Sequence, residues 1–237
     1  MFITNIPAND GFGSQFQNII SYILIADVRG YQFIYTPLIA VEHNYDNDPE
    51  FINQLESLMN IKNHYPVIGS NQINIFIGDP KKNYLDEDIK KYANLDSLQK
   101  IKNIFWENKN RNHFNNGCVN VAVHVRRPNI CDNRIEGTDT SDQYYFTVIN
   151  KIREIYPDAK FHIYSQGSIE NFLNYCADDT VLHINESIEN TFIGLVASDV
   201  LVMSASSFSY VAALLHDGIV FYHSFWHPPL GHWFIIN

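Results

Sequence analysis

The sequence contains few cysteines, and their spacing predicts neither a disulfide framework nor a zinc motif. Cys118, Cys131 and Cys176 are an odd number, and no two of them form a CxxC pair. Small disulfide-rich scaffolds and structural zinc sites require more cysteines at characteristic spacings. The three residues therefore predict reduced thiols in a reducing compartment, and hence a cytoplasmic protein.

Long apolar segments are also missing. No run of about 18 apolar residues occurs, and Met1 is followed by FITNI without the basic residues that open a signal peptide. These absences predict no membrane span and no signal peptide. The alternative is a lumenal protein whose anchor lies outside this sequence, and only then would the sequon Asn185-Glu186-Ser187 matter.

Basic residues are scarce relative to acidic ones. The chain has 16 Lys and Arg against 26 Asp and Glu, which gives a formal net charge of −10. Nucleic-acid binding needs a basic face that displaces counterions, so this balance argues against a nucleic-acid partner. With 237 residues, 46% of them hydrophobic, the chain can bury one large core or two smaller ones.

Two arginines follow a strongly apolar stretch in the middle of the chain. Residues 119–127 read VNVAVHVRR, and five of the first seven are apolar, as a central parallel strand requires. Ligands of open α/β sheets bind at the carboxyl ends of the strands. Arginine also forms bidentate, charge-assisted hydrogen bonds with phosphates. His124, Arg126 and Arg127 therefore predict a site for an anion such as a diphosphate.

The alternative for the two arginines is purely structural. Arg126 and Arg127 would then form salt bridges with nearby surface acids such as Asp132 or Glu136. This stretch by itself is equally compatible with both interpretations.

The N-terminal segment predicts a strand at 1–6, a glycine-containing turn, a helix and a second strand at 31–35. Ser14 is placed to cap the helix, and Gly30 to end it. This order is that of a nucleotide-binding half-unit, although GFG is not the complete GxGxxG fingerprint. Gly11 and Gly13 serve either a tight turn or a close approach of backbone amides to a phosphate or sugar.

In the rest of the chain, a regular alternation of strands and helices is predicted only in the second half. The polar run 107–117 (ENKNRNHFNNG) predicts a linker. Before it we predict a helix at 51–59, a strand at 73–77 and a helical stretch at 86–106. After it we predict strands at 118–125, 160–164, 180–184, 200–203 and 219–222, and helices at 142–156, 168–175, 188–197 and 206–215. Such alternation indicates βαβ units and a parallel sheet. We therefore predict an α/β protein with domains at 1–116 and 117–237, the second of them Rossmann-like.

A serine-rich loop lies where one of these strands turns into a helix. Residues 204–209 read SASSFS, with four serines in six residues. Small residues let the backbone close on a ligand, and a helix start presents free N–H groups and the positive end of the helix dipole. The loop therefore predicts phosphate contacts. The alternative is that Ser206 is only a helix N-cap.

Four histidines near the C-terminus raise the alternative of a metal site. His216, His223, His227 and His232 lie among aromatic residues and prolines at irregular spacing. A zinc site needs three or four ligands with a supporting shell of hydrogen bonds. We predict a partly buried aromatic cluster and no metal. A metal-dependent hydrolase is the corresponding alternative function.

Four segments together resemble one enzyme family. His124-Val125-Arg126-Arg127 resembles the HxRR motif of the α-1,2/α-1,6 fucosyltransferase superfamily, and the α-1,2-fucosyltransferases look closest. Residues 11–16 look like the family's GLGNQxF segment. Residues 142–145 stand where the family has a helix that opens with two tyrosines. Residues 204–215, SASSFSYVAALL, are similar to the family's NSSFSWWAAWL.

The resemblance implies both a fold and a reaction. The expected fold is two Rossmann-like domains facing across a cleft (GT-B-like), with the N-terminal one reduced and on the acceptor side. The expected enzyme is a metal-independent, inverting glycosyltransferase that transfers fucose from GDP-fucose to a hydroxyl group of a glycan acceptor. GDP-fucose is then a co-substrate, and no cofactor is expected.

The resemblance also implies roles for individual residues. Arg126 would bind the β-phosphate and stabilise the leaving GDP, with Arg127 supporting it, and His124 would approach the guanine or ribose. The remaining donor contacts it implies are Ser206, Ser207, Phe208 and Ser209 in the serine-rich loop, and Gly11, Gly13 and Gln15 in the N-terminal turn.

Two departures from the family pattern leave alternatives open. Asn129 stands where the family has an aspartate after the arginines, so either Asp132 or Glu136 acts in its place as a catalytic group or the role is absent. The candidates for a general base are Asp10, Asp132 and Glu136. Ser165-Gln166 stands where the family has SDD, which concerns guanine recognition. One alternative is therefore the same fold with another nucleotide-sugar donor. The other is a degenerate relative that binds nucleotide or glycan without transfer.

Overall fold

The chain folds into two compact units, each with its own parallel sheet. The structure is a computed structural model that describes residues 1–44, 47–68, 75–77, 96–127 and 140–236, with the backbone only for 75–77. The units are Met1–Asn110 and Arg111–Asn237. Their boundary falls inside the segment that the sequence predicts as a linker, and the predicted α/β class is confirmed.

The first unit is built on a small parallel sheet. Its described elements are β1 (Phe2–Thr4), α1 (Phe12–Arg29), β2 (Gln32–Ile34), α2 (Phe51–Met59), a short 3₁₀ helix (Ile61–Asn63), β3 (Ile75–Ile77) and α3 (Asp96–Trp106). The strand order is β2-β1-β3, with both pairs parallel. Helix α1 is almost wholly buried because its apolar residues continue around most of its surface.

Helix α1 begins three residues earlier than predicted. Its N-cap is Gly11 in an extended conformation, so the prediction that Ser14 caps the helix is wrong. The carboxylate of Asp10 accepts instead, from the Gly11 N–H at 2.7 Å and from the Ser14 hydroxyl at 2.6 Å. A carboxylate at this position also complements the helix dipole. The predicted end is confirmed, because Gly30 adopts the left-handed conformation with φ of 65°.

The second unit contains the larger sheet. Its elements are β4 (Asn120–His124), α4 (Asp142–Ile155), β5 (Lys160–Ser165), a 3₁₀ helix (Ile169–Tyr175), β6 (Thr180–Ile184), α5 (Ile188–Ala197), β7 (Val200–Val202), α6 (Ser207–Leu215), β8 (Ile219–His223) and β9 (Phe234–Ile236). The order is β6-β5-β4-β7-β8-β9, and every pair is parallel. Counted from β4, this is the 3-2-1-4-5-6 order typical of Rossmann folds. Strand β9 was not predicted.

The sheet of the second unit is covered on both faces, which explains the nearly continuous apolar sequence of β4. Val121 and Val123 belong to a buried cluster that also contains Tyr145 and Val148 of α4. Successive side chains of a strand point to opposite faces of the sheet. Asn120, and the residues beside it on the neighbouring strands, therefore lie on the other face. Within the described ranges, every helix is too short or too polar to cross a lipid bilayer.

A row of polar side chains crosses three strands on that opposite face. His162 Nε2 lies 3.1 Å from Asn120 Oδ1, His162 Nδ1 lies 3.0 Å from His183 Nε2, and His183 Nδ1 lies 2.7 Å from Glu186 Oε1. Amide and carboxylate oxygens only accept hydrogen bonds, so His162 Nε2 and His183 Nδ1 both carry protons. The contact between the two rings needs one further proton. With that proton all the hydrogen bonds of the His162–His183 pair are formed, and the pair carries a single positive charge.

A close helix–strand contact on the same face predicts that Gly194 cannot be replaced by alanine without cost. An added β-carbon at Gly194 would lie 2.1 Å from Oη and 2.5 Å from Cζ of Tyr164. Tyr164 is fully buried and stacks on His183 at 4.4 Å, so its ring cannot swing away. We expect Gly194→Ala to destabilise the protein by about 1–3 kcal/mol, measured as a melting temperature lower by about 2–4 °C per kcal/mol.

The control for this variant is Gly231→Ala, because a β-carbon at Gly231 would meet no atom within 4 Å. Equal melting temperatures for the two alanine variants would show that the Tyr164 contact is not tight.

Candidate functional site

Strands β4 and β7 are neighbours at the point where the strand order of the larger sheet reverses. From β4 the chain continues outward to β5 and β6 on one side, and from β7 to β8 and β9 on the other. The two loops that leave the carboxyl ends of β4 and β7 therefore diverge and leave a crevice, where open α/β sheets bind ligands. The predicted HVRR segment begins at the last residue of β4, and the serine-rich loop follows β7.

The two loops meet through His124 and Ser204. The Ser204 hydroxyl lies 2.8 Å from His124 Nδ1 and 3.4 Å from the Ser209 hydroxyl. Ser209 donates to the backbone carbonyls of Ser204 and Ser206. The shorter contact favours donation from Ser204 to Nδ1, which leaves the His124 proton on Nε2.

His124 is a neutral hydrogen-bonding group at physiological pH. Burial and the charge of Arg126 lower its pKa to about 3. The ring is therefore suited to donate from Nε2 to a ligand, and it is unsuited to proton transfer near neutral pH.

The serine-rich loop divides into supporting and accessible residues. Ser206 caps α6, because its hydroxyl oxygen accepts from the Phe208 N–H at 3.2 Å, so the N-cap role is present. Thr140 Oγ1 accepts from the Ala205 N–H at 3.0 Å and fixes the loop from the other side. Ser209 is fully buried, whereas Ser207 and Phe208 are half-buried at the helix start.

The two arginines of the HVRR segment differ in their surroundings. Arg127 Nη2 donates to the carboxylate of Asp142, which also accepts from the Tyr175 hydroxyl, and the Arg127 guanidinium lies 5.8 Å from the centroid of the Phe172 ring. Arg127 is thus held by the start of α4 and by the second 3₁₀ helix. Arg126 is half-buried at the same strand end, and its charge acts on His124.

The arginine–acid contact involves a residue that the sequence did not single out. Asp132 and Glu136, the acids proposed for a salt bridge or a catalytic role, lie outside the described residues, and Asp142 is the acid that Arg127 contacts. Asp142 is the first residue of a predicted helix within 15 positions of Arg127. An acidic residue at the start of the next helix was therefore the feature of the sequence from which this contact could have been predicted.

The predicted N-terminal ligand residues lie in the first unit. The Gln15 amide donates to the backbone carbonyls of Asp10 and Ala40, both at 2.8 Å, and Gln15 is 5% exposed. Its N–H groups thus tie a neighbouring loop to the start of α1. A β-carbon on Gly11 would lie 3.2 Å from the His43 ring, and Gly13 is buried within the helix.

Of the four C-terminal histidines, His223, His227 and His232 contact aromatic rings, whereas His216 is buried beside Ser198 and Gly218. His227 is buried, and its Nε2 lies 3.0 Å from the Trp226 indole nitrogen and 3.2 Å from the Ser207 hydroxyl. Its ring packs on Tyr210 at 4.9 Å. Among the described residues, no three His, Cys, Asp or Glu side chains converge on a point that would hold a metal ion. The contact between His227 and the serine-rich loop was not predicted.

Comparison with known proteins gives a family match and several distant structural likenesses. The sequence model of glycosyl transferase family 11 matches residues 45–224. No curated protein sequence gives a significant match. Fucosyltransferase NodZ from Bradyrhizobium is 13% identical over 91% of this chain and 93% of that chain, with a TM-score of 0.46. E. coli heptosyltransferase WaaC with ADP-2-deoxy-2-fluoro heptose is 9% identical over 100% and 93%, with a TM-score of 0.48. These structural likenesses are distant, and they assign no chemistry to this chain.

Proposed function

The chain belongs to glycosyl transferase family 11, and on that basis we propose that this glycosyltransferase moves fucose from GDP-fucose to a hydroxyl group of a glycan acceptor. We propose further that it needs no metal ion and inverts the configuration at the anomeric carbon. The observation that supports the proposal is the meeting of the HVRR segment and the serine-rich loop at the crevice between β4 and β7. The free thiols of Cys118 and Cys176 support a cytoplasmic location.

The proposed reaction requires stabilisation of a departing diphosphate. The acceptor oxygen forms a bond to the anomeric carbon of fucose while the bond from that carbon to the β-phosphate oxygen breaks. The electron pair of the broken bond stays on GDP, and the acceptor proton passes to a base. Fixed positive groups at the developing charge lower the barrier to such a step. Asp10, Asp132 and Glu136 remain the proposed candidates for the base.

Arg126 is the proposed ligand of the β-phosphate, and Arg127 is its support. Arg127 is already bonded to Asp142, and its guanidinium lies over the Phe172 ring. Its charge therefore contributes to the field of the site from a fixed position. The Arg126 guanidinium, at the same strand end, supplies the planar fork that matches a phosphate.

The helix start and His124 complete the proposed donor site. Ser207 and Phe208 lie in the first turn of α6, where the helix dipole attracts phosphate oxygens. The Phe208 N–H itself is bonded to the Ser206 hydroxyl. Ser206 and Ser209 would hold that turn in shape through the contacts described above. His124 would donate from Nε2 to the ribose or guanine. In the first unit, Gly11, Gly13 and Gln15 are proposed to shape a backbone surface for the donor.

The same fold with a different nucleotide sugar is the second candidate, and Gln166, next to Ser165, gives it specific support. The Ser165 hydroxyl donates to the Val125 carbonyl at 2.5 Å and so links the ends of β4 and β5. Ser165 thus keeps the first position of the family's SDD segment in a structural contact, whereas Gln166 stands where the family has an aspartate, so guanine is left with fewer carboxylate acceptors.

The test is the melting temperature of the protein with GDP, GDP-fucose, UDP or ADP, each with and without EDTA. A ligand at one hundred times its dissociation constant stabilises by about 2.7 kcal/mol, which raises the melting temperature by about 5–10 °C. We expect stabilisation by the two guanine compounds alone, unchanged by EDTA. Selective stabilisation by UDP or ADP would establish the second candidate, and loss of the shift in EDTA would contradict the metal-free proposal.

A further inference from the structure

Trp226 is an exposed indole that the fold holds in place. It is 51% exposed, whereas the other tryptophans, Trp106 and Trp233, are each 6% exposed. A single exposed aromatic residue is ordinary on a protein surface. Trp226 differs because its indole N–H donates to Nε2 of the buried His227 at 3.0 Å. Phe225 packs against it with ring centroids 5.2 Å apart, which further restricts the ring.

The anchor of this indole is also the neighbour of the proposed phosphate site. His227 Nε2 lies 3.2 Å from the hydroxyl of Ser207, the first residue of α6. One imidazole nitrogen therefore separates the indole from the helix start. Because the indole nitrogen only donates, His227 Nε2 carries no proton, and the Ser207 hydroxyl donates to it. Ser207 thus presents lone pairs outward, and phosphate contacts there fall to the backbone N–H groups.

The strand order places Trp226 on one particular side of the site. His124 and Ser165, which lie towards the proposed nucleoside position, end β4 and β5. Trp226 follows β8, on the far side of β7. A diphosphate at the start of α6 would therefore have its nucleoside towards β5 and its sugar towards β8.

We propose that Trp226 is a stacking surface for the pyranose ring of the donor sugar. This inference rests on the proposed function and adds a residue that determines which sugar is accepted. The exposed indole offers a flat apolar face, and the axial C–H face of a pyranose is the part of a sugar that packs against such a surface. The indole N–H is already bonded to His227, so the ligand does not need to supply a hydrogen-bond acceptor for it. Stacking therefore selects for a ring with an apolar face, and GDP without a sugar gains nothing from it.

The experiment compares the dissociation constants of GDP and GDP-fucose, by calorimetry, for the wild type, Trp226→Ala and Trp226→Phe. We expect Trp226→Ala to weaken GDP-fucose binding by about tenfold and to change GDP binding by less than about twofold. Trp226→Phe keeps a flat ring, so its affinity for GDP-fucose is expected to lie between those of the wild type and Trp226→Ala. Phe234→Ala is the matched control, since Phe234 is equally exposed at 56% but lies on β9, and it should alter neither constant.

Fluorescence gives an independent readout because Trp226 is the exposed tryptophan. Its emission in the wild type should shift to the blue and resist acrylamide quenching when GDP-fucose is added, and not when GDP is added. An equal loss of affinity for GDP and GDP-fucose in Trp226→Ala would overturn the inference while the proposed function stands. Unchanged tryptophan emission with bound GDP-fucose would do the same. Absence of binding by either nucleotide to the wild type would overturn both.

Discussion

Replacing Arg126 by alanine is expected to weaken the binding of GDP by about 10- to 100-fold. A hydrogen bond to a charged group contributes about 1.5–3 kcal/mol, and removal of a bidentate arginine also leaves a phosphate oxygen without its partner in a partly buried site. Arg126 is half-buried at the carboxyl end of β4, next to the neutral His124. No second cation is expected to replace it, because the described contacts of Arg127 tie that guanidinium to Asp142.

The loss of GDP affinity is measured by calorimetry against two controls. Arg126→Lys keeps the charge but not the planar fork, so an intermediate affinity is expected. Lys151→Ala removes the same charge from an exposed position on α4 and should bind GDP as the wild type does. Wild-type affinity in Arg126→Ala would remove Arg126 from the donor site and favour the purely structural role for the arginines.

The free energy of unfolding is expected to fall as the pH decreases from about 6.5 to about 4. Burial and the charges of His183 and His113 lower the pKa of His162 to about 4. In this range the unfolded chain binds a proton at His162 that the folded protein excludes, so acid favours unfolding. The contribution of His162 to the free energy of unfolding is fully present above the ordinary histidine pKa, and it is lost below the lowered pKa of the folded state. Its full size is at most about 3 kcal/mol.

The structural reason is the single shared proton of the histidine pair. A second proton would set two N–H groups against each other across the 3.0 Å contact between His162 and His183, and Glu186 compensates only the charge on the His183 side. Urea unfolding at several pH values measures the effect. His162→Gln should be less stable at neutral pH and should lose less stability on acidification in this range, with a remaining loss expected from His124, whose pKa is also lowered by burial, whereas His232→Gln, at an exposed position, should keep the wild-type slope. A wild-type slope in His162→Gln would contradict the assignment.

Elements of the second unit were predictable where the sequence carries a clear local signal, even in a partly exposed edge strand such as β6. Strand β6 and helix α5 begin and end where the sequence predicts, because Ser187 caps the helix by accepting from the Asn190 N–H and an apolar strand precedes it. Strand β9 was missed because it is three residues long and its side chains at Phe234 and Ile235 are more than half exposed. Such an edge strand is defined by backbone pairing with β8, which leaves no periodic pattern.

The candidate site was predictable only in its general position. The rule that ligands bind at strand ends brings His124 and the serine-rich loop together, and the structure shows that contact. The partners of individual groups were not predictable, since Arg127 had several acids within reach along the chain and packing alone selects Asp142. The role of His227 depends on a turn after β8 that returns to the start of α6, and spacing in the sequence does not reveal it.

The central strand of the larger sheet also governs the order in which the second unit can assemble during synthesis. Strand β4 pairs with β5 on one side, but on the other side its start is bonded to Asp199, 79 residues further along the chain. While the ribosome adds those residues, the β7 side of an apolar strand remains without its final partner. Nascent chains with such an edge are prone to wrong pairing and aggregation. The risk from this open edge of β4 should therefore last until β7 has been synthesised and has paired with it.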